Sequence, residues 1–297
     1  MIWQKVTLQF PAEHITTVEE ILEELGASAI SLESANTEEL FEPELGTTPL
    51  WQATQISALF EENADLASIL LTFKQQIAEH IPTHHVKIVT EQLAEQNWQQ
   101  LHQDAFPPLL FADRLWVYPS WHPKPADGKP YIELDPGLAF GTGTHPTTAL
   151  CLEWLAQHGA AFPTVVDYGC GSGILAIAAV KLGAQKVYAV DNDPQALEAT
   201  HENANRNGIS TQQLTTFLPE TLPSLKSELI IANILANPLI QLAPRLLKLL
   251  APQGKIVLSG LLSTQADSVM AAYQPSIQFT QTKIQEDWVL LQGTRTS

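Results

Sequence analysis

The 297-residue sequence is poor in cysteine and contains no long apolar run. Its two cysteines, Cys151 and Cys170, cannot build a disulfide framework or a four-ligand zinc site. No stretch of about 18 apolar residues occurs, and the first residues lack the apolar segment of a signal peptide. These absences argue against a membrane-spanning protein and against a small protein stabilised by disulfides. We therefore expect a cytoplasmic protein that does not associate with a membrane and holds no metal.

Positive charge is scarce in the first hundred residues. They hold 16 acidic and three basic residues, a net charge of −13, and no arginine, whereas the remainder has a net charge of −4. A nucleic-acid-binding module would need clustered lysine and arginine to neutralise phosphates, so direct nucleic-acid binding is not expected. An acidic module suits recognition of a basic protein surface. The alternative is that this charge only keeps the domain soluble.

The most informative segment is V-V-D-Y-G-C-G-S-G at residues 165–173, which predicts a buried strand followed by a glycine-rich turn. A second predicted strand, 186–190, ends on Asp191, 22 positions after Gly169. This βαβ layout is typical of nucleoside binding, in which the acid receives ribose hydroxyls. The third glycine comes one residue earlier than in G-x-G-x-x-G. S-adenosylmethionine, which has no pyrophosphate, needs only amide donors and the distal acid. A nicotinamide cofactor and a ligand-free structural turn remain alternatives.

Strand and helix patterns alternate along the chain and predict two α/β domains. Residues 1–90 predict strands at 3–10, 29–32, 52–60 and 86–89 and helices at 16–25 and 65–81, the order of a ferredoxin-like sandwich. Residues 91–105 predict a linker helix. Residues 106–297 predict short strands at 108–111 and 115–118, then a doubly wound, Rossmann-like sheet with strands near 164–168, 186–190, 213–217, 228–233, 254–259, 276–284 and 286–293. Asp193-Pro194 and Asn237-Pro238 predict helix starts.

Ligands bind at the carboxyl ends of strands in a doubly wound sheet, where the glycine turn, Asp191 and Asn233 are expected to converge. Asn233 lies in A-N-I-L, at the position where amine methyltransferases commonly carry N-P-P-Y, whose asparagine accepts a hydrogen bond from the target nitrogen. A capping or packing role for Asn233 is the alternative. A further run, L-A-F-G-T-G-T-H-P-T-T at residues 138–148, combines glycines and threonines in a loop that leads into a helix near Pro146.

Together these motifs resemble the ribosomal protein L11 methyltransferase family (PrmA type) over nearly the whole chain. The resemblance implies a seven-stranded class I methyltransferase domain behind a small acidic domain that grips the ribosomal protein L11, and we expect a monomer. It implies that Thr148, Gly169, Gly171, Asp191 and Asn233 contact S-adenosylmethionine. It also implies that Phe140 and Thr144, with their loop, shape the methyl-transfer pocket, where Asn233 is catalytic. The family's products are trimethylated α-amino and lysine ε-amino groups.

Other side chains and other functions carry less weight. His80, His84 and His85 are too loosely spaced for a metal site and predict a solvated loop. His145 is expected to play a structural role before Pro146, with a role as a base as the alternative. Cys170 is expected to pack as a small residue, and Trp288 to anchor a strand. The alternative functions are a methyltransferase acting on RNA or a small molecule, a cofactor-binding module without turnover, and a nicotinamide dehydrogenase.

Overall fold

The computed structural model describes residues 3–35, 53–78, 88–93, 106–135 and 143–296. The chain divides into two compact units, Met1–Leu101 and His102–Ser297. No helix of the described part is long and apolar enough to cross a membrane. The predicted linker helix is wrong at its start, because residues 91–93 belong to a strand. They pair with Trp3 to Lys5, and this pairing overrides their helical propensity. Residues 94–105 lie outside the described part.

The described residues of the first unit form a four-stranded antiparallel sheet in the order β2-β3-β1-β4 and two α-helices. The elements are β1 (Trp3–Pro11), α1 (Ile15–Glu24), β2 (Ala29–Ser34), β3 (Ala53–Glu61), α2 (Leu66–Ala78) and β4 (Ile88–Leu93). Alternate residues of β1 and β3 are buried with the apolar faces of both helices, as the period-two pattern predicts. Phe10 and Phe73 meet edge to face in this core, with ring centroids 6.5 Å apart.

The second unit is built on a seven-stranded sheet in the order β10-β9-β8-β11-β12-β14-β13. Its strands are β8 (Thr164–Tyr168), β9 (Lys186–Val190), β10 (Leu214–Phe217), β11 (Ser227–Asn233), β12 (Leu250–Leu262), β13 (Ile277–Gln285) and β14 (Trp288–Arg295). The first five are parallel, and β14 pairs antiparallel with both β12 and β13. A smaller sheet consists of β5 (Leu109–Phe111), β6 (Leu115–Tyr118) and β7 (Tyr131–Glu133), of which β7 was not predicted.

Helices cover both faces of the large sheet, so its central strands are buried on both sides and read as continuous apolar runs. The helices are α3 (Pro146–His158), α4 (Ile174–Lys181), α5 (Pro194–Arg206), α6 (Ala236–Leu249) and α7 (Ala266–Tyr273). Val165 of β8 belongs to the core shared with α3 and α4, and the next residue, Val166, to the core shared with α6 and α7. The predicted helix start at Asn237-Pro238 is wrong, because α6 begins at Ala236 and its N-cap is Leu235.

Candidate functional site

The carboxyl ends of three adjacent strands, β9, β8 and β11, bring the predicted binding residues together. A cavity of about 230 Å³ opens at this edge of the sheet. It is lined by Thr148, Gly169, Cys170, Gly171, Ile174, Leu175, Asp191, Asn192, Asn233 and Ile234. All five residues predicted to contact a cofactor are among these, so one ligand could reach every one of them.

The glycine turn after β8 is held in place by its neighbours before any ligand is bound. The N–H groups of Gly169 and Cys170 donate to the Val190 carbonyl at 2.7 and 3.1 Å. Gly173 ends the turn with φ +79°, and a Cβ at this position would lie 2.7 Å from Thr200 Cγ2. Only glycine therefore fits where the turn meets α5.

Two side chains of α5 bind the carbonyl groups of this turn. Thr200 Oγ1 donates to the Gly171 carbonyl at 3.0 Å, and Asn203 Nδ2 donates to the Ser172 carbonyl at 2.9 Å. Neither residue was singled out from the sequence. The available signal was their three-residue spacing, which places two polar side chains on one face of a helix.

The N-terminus of α4 forms one wall of the cavity, through Ile174 and Leu175. Its N-cap is Gly173, which has no capping side chain, and the N–H groups and dipole of a helix start favour an anion such as a carboxylate. The third N–H, of Ala176, donates to Asp167 Oδ2 at 2.9 Å. Asp167 is fully buried, and its other oxygen has no hydrogen-bond partner among the described residues. Burial raises the pKa of this carboxyl to about 7, in spite of the Ala176 bond.

Asp191 is oriented by the backbone at the end of β9. Its Oδ2 accepts from the Gly171 N–H at 3.0 Å, and its Oδ1 accepts from the Asp193 N–H at 3.1 Å. A carboxylate oxygen can accept more than one hydrogen bond, so both oxygens can still receive hydroxyl donors. The neighbouring Asp193 caps α5 through the Gln195 N–H at 2.9 Å, which confirms that predicted helix start.

Asn233 ends β11, and its Nδ2 donates to Thr148 Oγ1 at 3.2 Å. Thr148 is buried in the first turn of α3. With its amide nitrogen bound to Thr148, Asn233 presents its carbonyl oxygen as the acceptor in this part of the cavity. A capping role for Asn233 does not hold, because Leu235 is the N-cap of α6.

The remaining predicted residues are not among the described residues that line this cavity. Thr144 lines a different small cavity, with Phe106 and Leu134 among its walls. Phe140 lies outside the described residues, as do His80, His84 and His85. Within the described residues, no group of three or more histidine, cysteine, aspartate or glutamate side chains is placed to hold a metal ion.

His145 has the structural role that the sequence predicts. It is the N-cap of α3, and its Nδ1 accepts from the Thr147 N–H at 3.3 Å. Trp288, the first residue of β14, contacts the His145 ring at a centroid distance of 4.9 Å. These contacts tie the start of α3 to the start of β14.

Both cysteines are buried. Cys151 is 0% exposed, and Cys170, between two glycines of the turn, is 6% exposed. Burial raises the pKa of each thiol well above its usual range. Cys170 Sγ lies 3.3 Å from Thr200 Oγ1, whose hydrogen is donated to the Gly171 carbonyl, and this close contact agrees with the predicted packing role.

Comparison with known proteins extends over the whole chain. The family model described as ribosomal protein L11 methyltransferase (PrmA) matches residues 2–296. A protein of that name from Pseudomonas aeruginosa (strain LESB58) is 46% identical over 295 residues, 99% of each chain. Another from Marinobacter nauticus is 46% identical over 98% of each chain. Among solved structures, the ribosomal protein L11 methylase of Lactobacillus delbrueckii subsp. bulgaricus is 35% identical, with a TM-score of 0.59, and the match covers 65% of this chain and all of that one.

Proposed function

This chain belongs to the ribosomal protein L11 methyltransferase family, and on that premise we propose that it transfers methyl groups from S-adenosylmethionine to α-amino and lysine ε-amino groups of ribosomal protein L11. The observation that carries the proposal is the cavity at the ends of β8, β9 and β11. There, an oriented carboxylate, the start of a helix and the Asn233 carbonyl oxygen surround one space.

The residues around this cavity fit S-adenosylmethionine. The N-terminus of α4 suits its carboxylate, and the two oxygens of Asp191 suit its ribose hydroxyls. Gly169 and Gly171 let the backbone approach the ligand, and Thr148 and Asn233 form the wall at the reacting end. When bound, S-adenosylmethionine supplies a methyl group on a positively charged sulfur.

Asn233 is proposed to hold the amine that is methylated. Its Oδ1 would accept an N–H from the uncharged amine and direct the nitrogen lone pair into the cavity. A lysine with a pKa of about 10.4 costs about 4 kcal/mol to deprotonate at neutral pH, whereas an α-amino group costs under about 1 kcal/mol. Burial beside a positive charge disfavours the ammonium form and lowers this cost. The amine proton can then pass to water without a dedicated base.

We propose that the first unit is a ferredoxin-like, acidic domain that recognises the basic substrate. The sheet order β2-β3-β1-β4 with two helices supports the fold, and the net charge of −13 supports the partner. The domain limits predicted from the sequence are 1–90 and 106–297; because β4 ends at Leu93, we propose 1–93 for the first domain, with a linker between it and residue 106. We also propose that Phe140 and Thr144 shape the methyl-transfer pocket, and that the protein acts as a cytoplasmic monomer without direct nucleic-acid contact.

The proposal is tested by incubating the chain with tritium-labelled S-adenosylmethionine and separated ribosomal proteins and RNA. Label is expected on L11, with mass increments of whole methyl groups on amines. Label on RNA alone, or no transfer above background, would contradict the proposal.

The role of Asn233 is tested in the same assay. Asn233→Ala is expected to lower kcat by about 100-fold, because the amine loses its orientation. Asn205→Ala, an exposed asparagine of α5 that contacts His201, is the matched control and is expected to keep full activity. Full turnover together with unchanged cofactor affinity in Asn233→Ala would show that Asn233 does not hold the amine.

A further inference from the structure

The residue after Asn233 lies between two glycines that come from different strands. A Cβ on Gly260 of β12 would lie 2.5 Å from the carbonyl oxygen of Ile234 and 2.8 Å from its backbone nitrogen. A Cβ on Gly169, after β8, would lie 2.3 Å from Ile234 Cγ2. The backbone of Ile234 therefore packs on Gly260, and its side chain packs on Gly169.

The Gly260 contact depends on a β-bulge in β12. Pairing with β14 passes from Leu258 opposite Leu291 to Leu261 opposite Val289, so three steps on β12 match two on β14. Gly260 has φ +87°, a conformation that glycine adopts readily and other residues rarely do. The neighbouring Ser259 carbonyl accepts from the Ile234 N–H at 3.1 Å. The bulge therefore fixes both the position and the orientation of the peptide that follows Asn233.

We infer that Gly260 is a positioning residue for methyl transfer, which acts through Asn233. This inference rests on the proposed function. The Asn233 side chain is held at one end by Thr148, at 3.2 Å, and its backbone is held at the other by the bulge. Fixing both ends sets the position of the amide oxygen to which the amine binds. Gly260 itself does not line the cavity, whereas Asn233 and Ile234 do, so Gly260→Ala is expected to weaken cofactor binding much less than it lowers kcat.

A methyl group at position 260 would overlap backbone atoms of Ile234, and no change of side-chain rotamer can remove that overlap. The peptide between Asn233 and Leu235 must then move. A displacement of about 1 Å at a reacting group costs about 100-fold in rate. Gly260→Ala is therefore expected to lower kcat by about 100-fold and to change the dissociation constant of S-adenosylmethionine by less than about threefold.

Gly208→Ala is the matched control. Gly208 also has a positive φ, +69°, but nothing lies within 4 Å of the Cβ that alanine would add. This variant has the same type of backbone strain without the overlap. It is expected to lower the melting temperature and to leave kcat unchanged, which separates strain from positioning.

The decisive measurement is a double-mutant cycle on kcat for labelled L11, with cofactor affinity measured by calorimetry. If Gly260 acts through Asn233, adding Gly260→Ala to Asn233→Ala causes no further loss. If Asn233→Ala is slow and adding Gly260→Ala lowers its kcat by about another 100-fold, the positioning role is overturned and the proposed function stays intact. An Asn233→Ala variant with parental kcat and parental cofactor affinity would instead contradict the proposed role of Asn233.

Circular dichroism melting shows whether Gly260→Ala folds. If it does not, Ser259→Ala takes its place in the cycle, because it removes the hydrogen bond from Ser259 Oγ to the Val289 carbonyl, at 3.1 Å, that helps to hold the bulge against β14. It is expected to lower kcat by about tenfold in the parent and to have no effect in Asn233→Ala. Parental kcat in Ser259→Ala would contradict the inference.

Discussion

Asp191 shows how one residue can be prepared for a ligand by the backbone around it. Its two oxygens are bound by N–H groups from the glycine turn and from the start of α5, which follow different strands. The side chain therefore does not have to become ordered when a ribose arrives, and this lowers the entropic cost of binding.

Replacing this carboxylate is expected to weaken cofactor binding. Asp191→Ala removes charged acceptors worth about 1.5–3 kcal/mol each, so the dissociation constant of S-adenosylmethionine should rise at least about tenfold in calorimetric titration. Asp193→Ala is the control, since it removes only the cap of α5, at a cost of about 1 kcal/mol in stability. Equal affinities for the two variants would remove Asp191 from the binding site.

The position of a site residue could be predicted from the sequence where that residue lies at the end of a predicted strand. Asp191 and Asn233 could be predicted to meet because parallel strands end at one edge of a sheet. Thr200, Asn203 and Gly260 could not, because each acts on the backbone of a segment distant in sequence. Only the folded chain shows which peptide each one contacts.

Among the elements, α4 is unusual in how its start is stabilised. Its N-cap is a glycine, and the buried Asp167 accepts from Ala176 N–H in place of a capping side chain. This carboxyl has a folded-state pKa of about 7, raised chiefly by burial, against about 3.9 for an unfolded aspartate. The folded chain therefore binds one more proton than the unfolded chain between these values, and the stability contributed by protonation is lost as the pH rises through 7.

Asp167→Asn is expected to remove this pH dependence. Between pH 5 and 7 the free energy of unfolding of the parent should fall relative to the variant by up to about 1.4 kcal/mol per pH unit. The reason is that only the parent releases a proton from this side chain when it unfolds. Urea unfolding at several pH values measures this difference. Parallel curves for the two proteins would show that Asp167 does not titrate in this range.

At the element scale, the strands that fill the core were predicted closely, whereas edges and connections were not. Strands β8 and β9 have the predicted limits, because their apolar runs are bounded by turn residues. Strand β12 extends from 250 to 262 instead of 254 to 259, because the bulge at Ser259 and Gly260 continues the strand through a glycine. The short strand β7 has no signal of its own and forms by pairing with β6.

Across the whole molecule, negative charge is concentrated in the first unit. Helix α1 exposes Glu20 and Glu24, one turn apart, and its opposite face is buried in the core. Charges at the rim of an interface mainly steer association, and salt screens them. A basic substrate should therefore bind less tightly as ionic strength rises.

Neutralising this pair should raise KM for L11 by roughly fivefold, because two exposed charge contacts are lost. The variant is Glu20→Gln with Glu24→Gln, and kcat is expected to stay unchanged. Glu198→Gln with Glu202→Gln, an exposed pair with the same spacing on α5 of the second unit, is the matched control. If both variants give the same KM as the parent at low salt, the charge of α1 does not contribute to substrate recognition.

The burial of both cysteine sulfur atoms protects the two thiols of this protein from oxidants in its surroundings. A thiol reacts with oxidants and alkylating agents as the thiolate, and burial keeps Cys151 and Cys170 protonated and out of reach. Cys170 lies within the glycine turn and lines the cavity, but it is only 6% exposed, and it is expected to react slowly with peroxide or iodoacetamide. The two thiols are therefore expected to need no reducing agent during purification.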